Sequence, residues 1–134
     1  MDFVKYISTP AGQAEGTPLI TRMILTRGRL VGGYVYFPSG AAGVLHFLAR
    51  IGIHQILPFN TGENIRLDDC VFPFSLGIDL GEPPFVIDLV TWNDSALYAH
   101  VLTVLFSLEP NPGDPHELKK LIADFAAQEA GLGK

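Results

Sequence analysis

The sequence predicts an all-β domain, an antiparallel β-sandwich or jelly roll of about eight strands, followed by a short C-terminal amphipathic helix. Three observations predict it. Apolar, β-branched runs recur at the spacing of roughly 8–12 residues expected of sandwiches and barrels, set apart by Gly, Pro and Asn turns. The connections between them are too short for the crossovers of about a dozen residues that parallel pairing demands. Only after Asn111 does the apolar period lengthen to that of a helix.

Phe3 to Ile7 is a short β-prone run, followed by the turn-rich stretch Ser8–Thr17. From Leu19 onward, Leu19, Thr21, Met23 and Leu25 alternate with Ile20, Arg22, Ile24 and Thr26, the period of a strand with two unlike faces. Arg27-Gly28 leads into Leu30–Phe37, where Tyr34 and Tyr36 stand opposite Val35 and Phe37. Gly32-Gly33 inside that run predicts a bulge or a close backbone approach. Val44–Ala49 and Ile51–Leu57 are the next β runs, broken near Gly52. A polar loop over 58–69 turns most sharply at Asn60-Thr-Gly62. Cys70 to Leu76, extending toward Leu80, resumes β character, and its Pro73 predicts an edge strand or bulge because proline donates no ladder hydrogen bond. Gly81-Glu-Pro-Pro84 is a rigid turn before the strand Phe85–Trp92. After Asn93-Asp-Ser95, His100–Leu108 is the last and most apolar strand.

Residues 1–110 are thus expected to form the sandwich and 111–134 a linker and helix. Asp114-Pro115-His116-Glu117 has the N-cap, first-turn proline and acidic third position of a helix start. Leu118, Leu121, Ile122 and Phe125 then share one face. A helix of about sixteen residues is marginal alone in water, so this stripe is expected to dock, either on its own sandwich or, the sharper expectation, on a partner polypeptide.

Composition narrows the function. Of 134 residues, 48% are hydrophobic and 17% charged, which fills a core and leaves apolar surface for a partner to cover. The net charge of −5 argues against nucleic acid or an anionic membrane as partner. Charge is unevenly spread: residues 1–60 carry five bases against Asp2 and Glu15, whereas residues 61–114 carry Arg66 against nine acids. Faces of opposite sign set register between subunits. The single cysteine, Cys70, leaves no internal disulfide, and no run reaches the roughly 18 apolar residues of a membrane span. Met-Asp-Phe-Val-Lys lacks the basic and apolar regions of a secretory signal.

Candidate chemistry is sparse. A cupin-like metal site would need His46, His54 and His100 to converge, with Glu63 nearby, but the sequence has no His-x-His pair; singly buried, hydrogen-bonded histidines fit better. Cys70 before Val-Phe-Pro-Phe reads as a small buried hydrophobe, and Ser39 as a turn residue. Glu63, Asp68 and Asp69 offer oxygen ligands without calcium-loop spacing, so a solvated acidic loop is the plainer reading. Trp92 and Tyr98, with Tyr34 and Tyr36, are candidates for a sugar-stacking platform, against which stands ordinary core or interface packing. No catalytic residue, metal ligand or cofactor is assigned.

The segments Leu25-Thr-Arg-Gly28, Val35-Tyr-Phe-Pro-Ser-Gly40, His54-Gln-Ile-Leu-Pro58, Glu82-Pro-Pro-Phe85, Trp92-Asn93 and His100–Leu108 resemble a type of small β-sandwich structural protein of tailed phages and prophages. The resemblance spans residues 24–110. It implies a non-enzymatic virion component, a capsid decoration or head-surface protein made in the host cytoplasm and placed on the capsid. Implied partners are other copies of the chain, a trimer by analogy, and the major capsid protein or another virion protein. Two other expectations remain open: a carbohydrate- or receptor-binding module, with Trp92 and Tyr98 exposed, and the cupin-like metalloenzyme.

Overall fold

The computed structural model describes residues 1–110 and, beyond them, Ala123 alone. Eight strands follow in order: β1 Asp2–Thr9, β2 Leu19–Ile24, β3 Gly28–Phe37, β4 Leu45–Ile51, β5 His54–Leu57, β6 Cys70–Leu80, β7 Val86–Asn93 and β8 His100–Glu109. They form two four-stranded sheets, sheet A in the order β1-β8-β3-β6 and sheet B in the order β2-β7-β4-β5. Every pairing is antiparallel. The predicted helix, with Leu118, Leu121, Ile122 and Phe125, lies outside the described residues.

The two sheets share one core, as in a β-sandwich. Side chains alternate along each strand, and the inward set is apolar: Ile7 from β1, Val35 and Phe37 from β3, and Leu102, Val104 and Phe106 from β8 meet Met23 from β2, Phe47 and Ala49 from β4, and Ile87 and Leu89 from β7. Phe106, Phe47 and Phe37 are fully buried. Burial of such side chains contributes about 1.5–3 kcal/mol each, and this term holds two sheets together that share no strand.

Gly32 and Gly33 are where the sequence shapes the sheet most sharply. The β3 register shifts between Leu30 and Gly32 against both neighbouring strands, the bulge that the pair predicts. A Cβ on Gly33 would lie 1.8 Å from the Leu105 carbonyl oxygen, and one on Gly32 2.4 Å from that of Phe74. β3 is central, so its backbone is crowded from both sides. Beyond the bulge Tyr34 opposes Pro73 on β6, and β6 is an edge strand, where proline's missing N–H costs no ladder bond. At Gly52, with φ of 59°, the chain reverses into the short hairpin of β4 and β5.

Antiparallel pairing sends four connections, 10–18, 38–44, 58–69 and 94–99, to one end of the sandwich, and the shorter 25–27, 52–53 and 81–85 to the other. The long loops are tied to one another. Gly12 N donates to Ser95 O at 2.7 Å, Asp94 N to Val44 O at 2.9 Å and Asp69 N to Pro38 O at 3.2 Å.

Candidate docking surfaces

The polar groups with most chemical promise gather at the long-loop end of sheet B. His46 on β4 and Trp92 on β7 are cross-strand neighbours on the outer face of that sheet. Their rings stack, with centroids 4.9 Å apart and planes 8° from parallel. The His46 Nδ1 lies 2.7 Å from Asn64 Oδ1, and Nε2 lies 2.7 Å from Asp94 Oδ2. Asn64 is carried there because the 58–69 loop runs back beside β4, where Ile65 and Phe47 exchange backbone hydrogen bonds. With both nitrogens engaged and only 6% of the residue exposed, His46 clamps a loop onto two strands. No hydroxyl or thiol among the described residues is hydrogen-bonded to it.

The remaining expectations for single residues resolve as follows. His54 sits at the opposite end of sheet B and His100 opens β8 in sheet A, so the three histidines do not meet. Among the described residues no three His, Cys, Asp or Glu side chains are placed to hold a metal ion. The cupin-like alternative has no site there. Asp68 Oδ1 instead accepts hydrogen bonds from Gly40 N at 3.0 Å and Ala42 N at 2.9 Å, fastening the 38–44 loop. Cys70 is half-buried at the start of β6.

Trp92 is 5% exposed and one face of its indole is taken by His46, whereas Tyr98 is 67% exposed in the 94–99 turn. The expectation that both are open to a ligand fails at Trp92. The physical reason is the loop packing just described, which covers an outward-facing position. Asn93 beside it is buried. Its Nδ2 donates to Thr9 O at 3.2 Å and Tyr98 O at 2.9 Å, and its Oδ1 accepts from Ser95 N at 3.0 Å, so its amide is spent on joining β1, β7 and the following turn.

Among the described residues two surfaces are open. An open groove of about 460 Å³ crosses the outer face of sheet B at the short-loop end. Val86 and Asp88 form its floor, with Arg22 on one wall and Ile51, Ile53 and His54 on the other. Arg22 Nε is 3.4 Å from Asp88 Oδ1, and Ile53 and Ile24 are largely exposed alongside.

The second surface is the outer face of sheet A. Its cross-strand rows read Tyr6–Thr103–Tyr36–Val71 and Val4–Leu105–Tyr34–Pro73, with Ser8 and Val101 beyond. Tyr34, Tyr36, Val71 and Thr103 line an open depression of about 390 Å³ there. Charged groups on this face, Asp2, Arg29, Asp79 and Glu109, are confined to its short-loop end, where Arg29 Nη1 donates to Asp79 Oδ1 at 2.9 Å. Tyr6, Val4, Val71 and Val101 are exposed. Tyrosine rings combine apolar bulk with a hydroxyl able to face water or a partner.

This geometry defines a β-sandwich-like protein. No known protein family, curated protein or solved structure matches the chain.

Proposed function

We propose that this chain is a non-enzymatic virion structural protein, an oligomeric jelly-roll module that decorates or stabilises a capsid surface. The observation that carries the reading is the pair of strand orders, β1-β8-β3-β6 and β2-β7-β4-β5. The outermost strands in sequence pair with each other, then each pair nests inside the next, which is the order of a jelly roll, an architecture shared by viral capsid proteins, lectins and cupins. Fold alone does not choose among these, so the site must. His46 is consumed by Asn64, Asp94 and Trp92, which speaks against cupin chemistry, and the buried Trp92 removes one half of a lectin-like platform. What remains is surface: Phe59, Leu97 and Tyr98 exposed at the long-loop end, Ile24 and Ile53 at the other. Such apolar groups on a weakly charged protein favour assembly with copies of itself and with a capsid.

Light scattering on the chromatographed protein tests the oligomer, with a symmetric species of three chains expected. Co-sedimentation with capsids tests the partner. A monomer at micromolar concentration that also fails to sediment with capsids overturns the reading. Binding to a glycan array would move it to the lectin side.

A further inference from the structure

We infer that the open edge of β2 is a docking site for a strand of another polypeptide, an extended segment that carries a carboxylate between β-branched residues and adds to sheet B as a fifth strand. The inference does not depend on the virion reading.

Elimination among the edges points to β2. Among the described residues the two sheets end in four edge strands, β1 and β6 in sheet A and β2 and β5 in sheet B. An exposed edge is a template for pairing with another chain, and proteins blunt it with proline, a very short strand or a charge turned inward. β6 carries Pro73, and β5 is four residues long. β1 carries Lys5 on its inner face, in alternation with the buried Ile7 and Thr9. β2 has none of these devices. It contains no proline, and its inner positions Leu19, Thr21 and Met23 are uncharged.

The backbone of β2 is also set for pairing. Leu25 N donates to Phe85 O at 2.7 Å, and the register on β7 then runs unbroken from Ile24 opposite Val86 to Leu19 opposite Thr91. Hydrogen-bonded and non-hydrogen-bonded pairs alternate along an antiparallel ladder. Leu19, Thr21 and Met23 therefore turn their amides and carbonyls to β7, as Leu25 does. Ile20, Arg22 and Ile24 turn theirs to the open edge, along a strand of about 20 Å. The side chains of the same three residues stand exposed on the outer face.

Charge selects the occupant. Arg22, Asp88 and Arg50 form one cross-strand row, and Asp88 is the one carboxylate on the strands of sheet B. Arg22 meets Asp88 at 3.4 Å with 68% of its side chain exposed, and Arg50 makes no ion pair among the described residues. β1 packs against β2 across the sandwich, so Lys5, inward-facing yet exposed, adds a second base on this side. A second copy paired through β2 would bring Arg22 and Lys5 toward their own equivalents, and like charges across a pair of strands repel. A partner strand with a carboxylate opposite Arg22 and β-branched side chains opposite Ile20 and Ile24 meets charge with charge and apolar surface with apolar surface.

Fluorescence anisotropy on the full-length protein tests the site. The probe is a labelled, end-capped peptide of seven residues, isoleucine at the second and sixth, glutamate at the fourth and threonine elsewhere. Saturable binding is expected, at least about tenfold tighter than for the same peptide with lysine at the fourth position. N-methylation of the glutamate amide, which faces β2 in the paired strand, should weaken binding at least about tenfold, whereas N-methylation of the preceding threonine, whose amide faces away, should weaken it less than about threefold. Ile20→Pro removes an outward donor that β7 does not use, so binding should fall at least about tenfold while the melting temperature holds. Should that variant unfold, the two methylated peptides still decide on the unsubstituted chain. No saturation at about 1 mM peptide, indifference to lysine for glutamate, or an equal response to the two methylations overturns the inference. So does an Ile20→Pro chain that binds the peptide normally but loses self-association in light scattering, which would give the edge to a second copy.

Discussion

The hydroxyls of Thr9 on β1 and Thr91 on β7 meet at 2.8 Å in the interior, both side chains fully buried, and so tie sheet A to sheet B by a hydrogen bond. Beside it Asn93 Nδ2 on β7 donates to the Thr9 carbonyl, and the remaining core between the sheets is apolar. Replacing one threonine by valine strands the remaining hydroxyl in the core, which costs about 1–3 kcal/mol. Thr9→Val and Thr91→Val should each lower unfolding free energy by that order. The double variant should recover most of the loss, because two methyl groups of the same shape pack where two hydroxyls did. A urea-melt double-mutant cycle gives the coupling directly. Strictly additive losses would mean that the bond contributes nothing.

His46 predicts a second measurement. His46→Ala removes the ring that covers Trp92 and both links to Asn64 and Asp94. A loss of about 2–4 kcal/mol is expected from the cavity and the broken hydrogen bonds. The emission of Trp92, the chain's one tryptophan, should shift to the red as water reaches it. Asp94→Ala should cost under about 1 kcal/mol, since its side chain is 57% exposed and screened by water. Equal losses for the two would locate the clamp in the hydrogen bond to Asp94 and not in the buried ring.

The β3 bulge gives a third. Gly33→Ala drives a methyl group against the Leu105 carbonyl and the adjoining Phe106 backbone of β8, with no flexible side chain to yield. A cost of at least about 3 kcal/mol is expected, at the upper end for overpacking. Gly81→Ala meets nothing within 4 Å and should change stability by less than about 0.5 kcal/mol. Thermal melts of the pair separate crowding from any general intolerance of substituted glycines.

Asp68 supplies the fourth. Its carboxylate holds two amides of a loop in which Ala42 sits at the positive φ of 41°. Asp68→Ala should cost about 1–2 kcal/mol, the usual loss for an acceptor serving backbone N–H groups. Calcium should leave the melting temperature unchanged, because Oδ1 is already engaged and Glu63 and Asp69 do not join it in a cluster. A calcium-dependent rise in Tm would reinstate the acidic loop as a cation site.

The strands were legible because their residues speak locally. Gly32-Gly33 announced the bulge and Pro73 the edge of sheet A, since each depends on a backbone property of a single residue. The alternation around Tyr34 and Tyr36 placed them on the outer face for the same reason. For Trp92 the sequence left packing and ligand stacking as competing readings, and the loop that covers it was not legible. Trp92 faces outward by alternation, yet it is buried by a loop whose path depends on the distant pairing of Ile65 with Phe47. Likewise nothing near Thr9 in sequence signals that its partner is Thr91. Which strands become neighbours decided both cases, and local periodicity does not encode that.

The pairing of β1 with β8 has a consequence in time. Among the described residues β1 is an edge strand with β8 as its one ladder partner, in a register running from Asp2 opposite Ser107 to Thr9 opposite His100. The amino group of Met1 closes the arrangement on the Leu108 carbonyl at 2.7 Å. On the ribosome, β1 therefore lacks its ladder partner until β8, some hundred residues later, has emerged. Contacts this far apart in sequence also make for slow folding. Lys5 and Asp2 in β1 are placed where charge keeps such an edge from pairing with another chain.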